Sequence, residues 1–572
     1  MSAIAQASYC ITPDLRNFAY PLWSINETSF GGSTMKKSNL LISACLVVVI
    51  TSAAIAEDSA ADNQPVDPKY TWDLTALYPS TDAWDEARQQ VMASFEEIEQ
   101  LRGTLGKSAD DLYKAYRLVS DTYKEAGRVF VYASMNNDED QRNPATQERR
   151  QLAGIMFSRF GESTAWMQPE LISVGREVVE AYIAEDERLA PFVFQLDNAL
   201  RNAPHTLGEE TEQTLSYFTQ SFGAPSSTYQ MLANSDIPWP TITLSTGEEV
   251  LVNSQGYSRA RSSLNREDRK LAFDTFWGKW AEYRSATGLV LNTHIQTQVA
   301  LAKSRNYDSV LHRELHQDNL PPAVYHTLVE QVNKALPTLH RYFRLRARML
   351  GIEQMHYYDI YPPLVSLDKQ FDIETSMKLT LDAMKVLGAD WVEMQRDGMS
   401  QRWAHVYPQP GKRSGAYMQG FAYDVHPYLL LNHNDDYAGL STLAHEWGHA
   451  MHTLYAKQEQ PFETASYATF IAEIPSTSLQ LILQDFMSTN AESIDEQLYY
   501  LGEGLEGMRS TFFRQTMFAE FELALFEASE SGEALTGERM SEIYGDILRR
   551  YHGHDEGVVI IDDLYTNEWL FV

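Results

Sequence analysis

Hydrophobic positions in this chain follow two rhythms, and the slower one dominates. From about residue 81 to residue 202 apolar side chains recur every three or four places, as in Asp110-Asp111-Leu112-Tyr113-Lys114-Ala115-Tyr116-Arg117-Leu118-Val119, which predicts successive amphipathic helices. The same period returns over 265–350. A faster, strand-like pattern occupies 241–252, where Thr246-Gly247 predicts the turn of a hairpin. Two further strand-like runs, 357–365 and 417–431, precede another helical stretch near 437. A second apolar helical run follows over 467–476. The pattern predicts a mainly α fold with a small β-sheet. It contains no internal repeat, low-complexity tract or glycine-rich phosphate loop.

At 572 residues, with 44 % hydrophobic and 12 % aromatic side chains, the chain is long enough for more than one domain. Its formal charge of −32 argues against nucleic acid and anionic membrane surfaces as partners. The arginine-rich aromatic run 342–349 therefore reads as lobe core and solvated face. The two cysteines are Cys10 and Cys45. Both precede a pattern of Lys36-Lys37, an apolar run over 40–50 and Ala54-Ile55-Ala56, which reads as the charged, apolar and cleavage regions of a secretory signal. That run is too short to span a bilayer. A mature chain beginning after Ala56 would hold no thiol, so cysteine nucleophiles and cysteine metal ligands are excluded. A lipid anchor at Cys45 is disfavoured because most of the apolar run follows it.

The chemistry concentrates at Ala444-His445-Glu446-Trp447-Gly448-His449. On a helix, residues four apart lie on one face, so His445 and His449 can share a tetrahedral metal. Glu446 can then act as base toward an activated water. Asp435 and Asp436 offer N-caps, and Ala438, Leu440, Leu443 and Ala444 lead into the motif on an otherwise apolar helix. The bland alternative is a pair of hydrogen-bonded core histidines. Glu473, a lone carboxylate among Ala472, Phe470 and Ile471, is the best third ligand. Two imidazoles and one carboxylate leave a fourth position open, as catalytic zinc sites do. Glu463 competes but precedes the apolar run and is ranked as supporting or surface. His452, one turn past His449, reads as a hydrogen-bonded helix histidine.

Taken together, His445-Glu446-Trp447-Gly448-His449 followed by Glu473 resembles the thimet-type oligopeptidases, and oligoendopeptidase F in particular. Trp72-Asp73-Leu74-Thr75-Ala76-Leu77-Tyr78-Pro79-Ser80, Lys412-Arg413-Ser414-Gly415-Ala416-Tyr417 and Phe513-Arg514-Gln515-Thr516-Met517-Phe518 are similar to further segments of that family. The resemblance spans about 68–569. It implies a two-lobed, zincin-like metallopeptidase with a deep substrate channel, a small sheet beside the zinc helix and one Zn²⁺ per chain. By the same resemblance His445, His449 and Glu473 are the metal ligands, Glu446 is the general base, and oligopeptides are the substrates. Gly415, Ala416 and Tyr417 read either as an ordinary turn or as an edge that pairs with an extended peptide. The resemblance favours substrate contact.

The resemblance also implies a departure. Related chains continue beyond the pair Glu568-Trp569 into a segment whose His and Tyr side chains steady the oxyanion, whereas this sequence stops at Leu570-Phe571-Val572. His552, His554 and Tyr565 do not match that segment. A C-terminal truncation is expected, and each lost oxyanion donor would lower turnover by about two to three orders of magnitude. The expected organisation is an upstream extension over 1–34, a signal peptide over 35–56, a linker over 57–67, a helical domain over 68–264 and a catalytic domain over 265–572. The signal implies export, in a bacterium to the periplasm. The alternatives are an impaired peptide-binding protein and a zinc carboxypeptidase.

Overall fold

The computed structural model describes residues 67–571, apart from 209–210, 212–213 and 216–217. The expected upstream extension and signal peptide, with Cys10 and Cys45, lie outside the described residues. Among those described, helices predominate, as the apolar period requires, and five short strands form two small sheets. No described helix is long and apolar enough to cross a membrane.

Helices Thr81–Gln100, Ala109–Glu139 and Pro144–Thr164 pack around a first core that contains Trp84, Phe95, Leu112, Val129 and Phe157. Each begins at a side chain that satisfies free backbone N–H groups. Ser80 accepts from Ala83 N at 3.2 Å, Ser108 from Asp111 N at 3.1 Å and Asn143 from Ala145 N at 3.0 Å. A second core gathers the hairpin of strands β1 (Thr241–Thr243) and β2 (Glu249–Leu251), helices Arg266–Ala281, Arg284–Ser304 and Pro322–Met349, and the C-terminal helices Arg514–Glu530 and Gly537–His552. The hairpin is the one expected: β1 and β2 pair antiparallel, and Gly247 holds φ at 85° in the turn. The terminal 3-10 helix Asp563–Phe571 closes this core, with Trp569 and Leu570 buried and Phe571 packed on Phe276.

Two strand expectations are corrected. Residues 357–365 form no strand: Tyr357–Asp359 is a 3-10 turn. Asp359 accepts from His356 N at 3.0 Å and is fully buried against Arg266 and Arg269, each at 2.8 Å. The side chain thereby closes the backbone on itself, and Pro362-Pro363 supply no N–H for a ladder. The run 417–431 is not one strand but two, β4 (Tyr417–Gln419) and β5 (Tyr428–Leu430), interrupted by Gly420 and Pro427. Strand β3 (Ala404–His405), too short to carry a period, completes a sheet ordered β3-β5-β4, parallel in the first pair and antiparallel in the second.

This small sheet joins the first core to the chemistry. Tyr417, Tyr428 and Leu430 face the N-terminal helices, while Met418, Leu429 and Leu431 pack on Leu443, Trp447, Ala450 and Met451 of the helix Tyr437–Glu459. Lys412 fastens the sheet from inside, its Nζ donating to the carbonyls of His405, Tyr407 and Leu431 at 3.1, 2.6 and 2.5 Å. Burial lowers its ammonium to about 7, with Glu139 opposing the shift.

The second core holds a comparable buried histidine. His552 stacks on Phe343 and donates from Nδ1 to Leu548 O at 2.8 Å. Burial pushes its imidazole down to about 3. The unfolded side chain titrates near 6.5, so between those values the unfolded chain holds a proton that the folded chain lacks. The stability His552 contributes is present in full above pH 6.5 and is lost as pH falls toward 3. Guanidinium unfolding of His552→Gln at pH 7 and pH 5 should show a weaker pH dependence than the unaltered protein. The difference should be on the order of 1 kcal/mol per pH unit, and equal slopes would remove this assignment.

Candidate metal centre

The helix Tyr437–Glu459 starts at Asp436, whose carboxylate accepts from Gly439 N at 2.7 Å. Asp435, the other expected cap, instead turns the chain with φ at 55° and accepts from Phe371 N at 2.7 Å through its carbonyl. From this start His445 and His449 emerge on one face two turns along. Their Nε2 atoms lie 3.1 Å apart, with the rings nearly perpendicular at 81°.

Glu473 arrives from the following helix, Thr469–Thr489. Its Oε2 is 3.3 Å from His445 Nε2 and 3.4 Å from His449 Nε2. The approach depends on a glycine. A Cβ on Gly448 would meet Ser476 Cα at 2.5 Å and Ser476 N at 2.7 Å, so the two helices touch backbone to backbone between the histidines. Leu440 and Ala444 share an apolar cluster with Leu479 and Leu483 beyond that contact and continue the seam. Ser476 donates to Glu473 Oε2 at 2.6 Å and so aims the carboxylate.

The three atoms suit one ion. Ligands about 2.0–2.1 Å from a tetrahedral zinc stand roughly 3.3–3.4 Å from one another, close to the observed triangle. Among the described residues, this is the one His/Cys/Asp/Glu group with ligand atoms gathered within 4.8 Å of one another. Glu473 Oε1 is buried with no hydrogen-bond partner, a vacancy in its bonding that a cation would satisfy. The electrostatics agree. Burial and the neighbouring His449 lower His445, favouring the neutral imidazole that ligates. Burial raises Glu473, but hydrogen bonding and charge from His449, with help from Ser476, leave its carboxylate below the usual range. Glu446, next to the first ligand, is 5 % exposed, and burial followed by the Glu473 charge raises its carboxyl well above the usual range.

The other sequence candidates fall elsewhere. Gly415 is exposed, with φ at 82° and open space where a side chain would stand, and its carbonyl accepts from Asn432 Nδ2 at 2.7 Å. Ala416 is partly buried. The Tyr417 ring is buried, and its hydroxyl donates to Asp138 at 2.9 Å, so the side chain anchors β4 to the N-terminal helices. Glu463 is neither surface nor a support of the triangle. It is buried against Ser120 and Arg117 of the first lobe, the Arg117 pair at 2.8 Å. His452 stacks on Tyr467 at 3.8 Å and does not join the three ligands. His552, His554 and Tyr565 hold the second core and its edges: His554 Nδ1 accepts from Ile561 N, and Tyr565 donates to Asp274. Sequence reading missed Ser476 and Gln480, although both follow Glu473 at helical spacing, three and seven residues on.

Comparison with known proteins is consistent along the chain. The model described as Peptidase family M3 matches residues 260–560, and that described as Oligopeptidase F matches residues 170–238. The chain is similar to Oligopeptidase PepF of Bacillus subtilis, 33 % identical over 520 residues, which is 90 % of this chain and 77 % of that protein. A crystal structure of a peptidase from Chlamydophila abortus superposes with a TM-score of 0.79 at 29 % identity, covering 89 % of this chain and 85 % of that one. Oligoendopeptidase-F from Enterococcus faecium gives 0.63 at 28 % identity over 86 % and 84 %.

The helix contact is directly testable. Gly448→Ala should separate the two helices, destabilising the fold by about 1–3 kcal/mol. It should also weaken divalent-metal uptake. Thermal denaturation and metal titration of the apoprotein check both, and a variant with unchanged melting and metal affinity would contradict the close approach.

Proposed function

The chain belongs to peptidase family M3, with oligoendopeptidase F proteins as its relatives, and on that footing we propose that it is a zinc-dependent endopeptidase that cuts internal bonds of short peptides. The observation that carries the reading is the triangle of His445 Nε2, His449 Nε2 and Glu473 Oε2, with the buried carboxyl of Glu446 beside it. One zinc ion per chain would be held by these three side chains and, when bound, would supply Lewis-acid polarisation of the scissile carbonyl and of water.

The protein's own groups do the rest. Glu446 takes the proton of the attacking water and returns it to the departing amine. Burial raises the proton affinity of that carboxyl, which favours its accepting a proton from water. Ser476 keeps Glu473 directed at the two imidazoles. Strand β4 is one of the two outer strands of its sheet and runs beside the helix of the two histidines, so the segment Gly415-Ala416-Tyr417 is the proposed edge for an extended substrate. On this reading main-chain atoms contact the peptide, since the Tyr417 ring is occupied by Asp138. Main-chain pairing makes little demand on substrate sequence, which suits oligopeptides as a class.

Glu446→Gln should retain zinc and lose about two to four orders of magnitude in turnover of an internally quenched peptide. Chelation should abolish wild-type turnover and zinc should restore it. Undiminished cleavage by Glu446→Gln, or by the chelated protein, would overturn the mechanism.

Lys36-Lys37, the apolar run 40–50 and Ala54-Ile55-Ala56 support export with cleavage after Ala56. N-terminal sequencing of the protein from its native source should begin at Glu57. Recovery of an intact leader from the cytoplasmic fraction alone would contradict export.

A further inference from the structure

One imidazole of the pair is braced and the other is not. Gln480 lies seven residues beyond Glu473 on the same helix, so both side chains leave the face turned toward the histidines. Its Oε1 is 2.9 Å from His445 Nδ1. Its Nε2 lies 3.1 Å from Ser441 Oγ, on the histidine helix one turn before His445. With His445 Nε2 turned to the shared point, Nδ1 carries the hydrogen and donates it to the amide oxygen. Ser441 accepts from the other end of the amide. His449 Nδ1, by contrast, is buried without a hydrogen-bond partner.

We propose that Gln480 is the positioning residue of the metal centre, selecting the Nε2-ligating tautomer of His445 and doing so without adding charge. The proposal rests on the zinc reading given above. A histidine ligand commonly donates its second N–H to a carboxylate, which makes the imidazole a stronger donor to the metal. An amide fixes the same tautomer and orientation but withdraws less of the proton. Glu473 is then the one anionic group among these contacts, the ion keeps more of its positive charge, and it is held less tightly than a carboxylate partner would hold it. Gln480 touches neither substrate nor the reacting atoms, so its influence passes through His445.

The test is zinc affinity of the apoprotein, measured by competition with a chromophoric chelator, together with the visible absorption of the Co²⁺-substituted protein. Gln480→Met, close in volume but unable to accept the N–H, should bind zinc about 10- to 100-fold more weakly and show an altered cobalt spectrum. Gln480→Glu should bind at least as tightly as the unaltered protein. Ser441→Ala, which frees the far end of the amide, should weaken binding by less than Gln480→Met does. Melting curves of the apo forms identify variants that fail to fold. If Gln480→Met is among them, the tightening by Gln480→Glu and the loss in Ser441→Ala decide the matter. A folded Gln480→Met with unchanged affinity overturns the proposal, as does weakening of Met and Glu variants to the same degree, which is what a purely structural role would give. Absence of zinc binding by the unaltered apoprotein would instead overturn the underlying zinc reading.

Discussion

The site depends on how closely two helices approach. Gly448 lets the backbone of the histidine helix rest on that of the glutamate helix at Ser476, and the triangle of ligand atoms follows from that spacing. A methyl group at this point would occupy space already filled by main chain, which cannot move aside as a flexible side chain can. Pro475 contributes to the same contact. It lacks the N–H that a helix interior normally donates, and its carbonyl oxygen would lie 2.8 Å from a Cβ on Gly448. Local features that weaken an isolated helix, a glycine on one side and a proline on the other, are here the means of joining two of them.

The polar groups gathered by that contact would be costly in an apolar interior if left alone. Two of them are restrained by a neighbour, His445 by Gln480 and Glu473 by Ser476, and Asp436 caps the helix that carries the histidines. Apolar packing supplies the rigid frame. Leu440 and Ala444 face the glutamate helix, whereas Leu443, Trp447, Ala450 and Met451 face the sheet. The histidine helix is therefore held on two sides.

Much of this was readable in the residues. The four-residue spacing of His445 and His449 and the apolar neighbours of Glu473 identified the triangle because helical periodicity converts sequence distance into a shared face. The family resemblance pointed to the same atoms, and the helical pattern over 81–202 and 265–350 reappears in the fold. Other features depended on partners distant in sequence. Tyr357-Tyr358-Asp359-Ile360 has strand composition, yet Asp359 is drawn to Arg266 and Arg269 and the backbone turns. Glu463 looked peripheral because nothing near it in sequence announces Ser120 or Arg117. Gln480 carries no chemical singularity of its own, and its role emerges only beside Ser441 and His445.

The sheet that links the first core to the histidine helix also bears on the order in which the molecule can form. The N-terminal helices end their contribution to that core by Leu200, but Tyr417, Tyr428 and Leu430 complete it. Trp72 donates to Leu429 O at 2.8 Å, and Tyr428 donates back to Asp73 O at 3.0 Å. During synthesis the N-terminal helices emerge long before these partners exist, so their apolar seam stays uncovered until residues 417–430 follow. Such non-local closure slows folding. The last residues to join that core thus come from the segment that also seats the histidine helix, so the two are completed together.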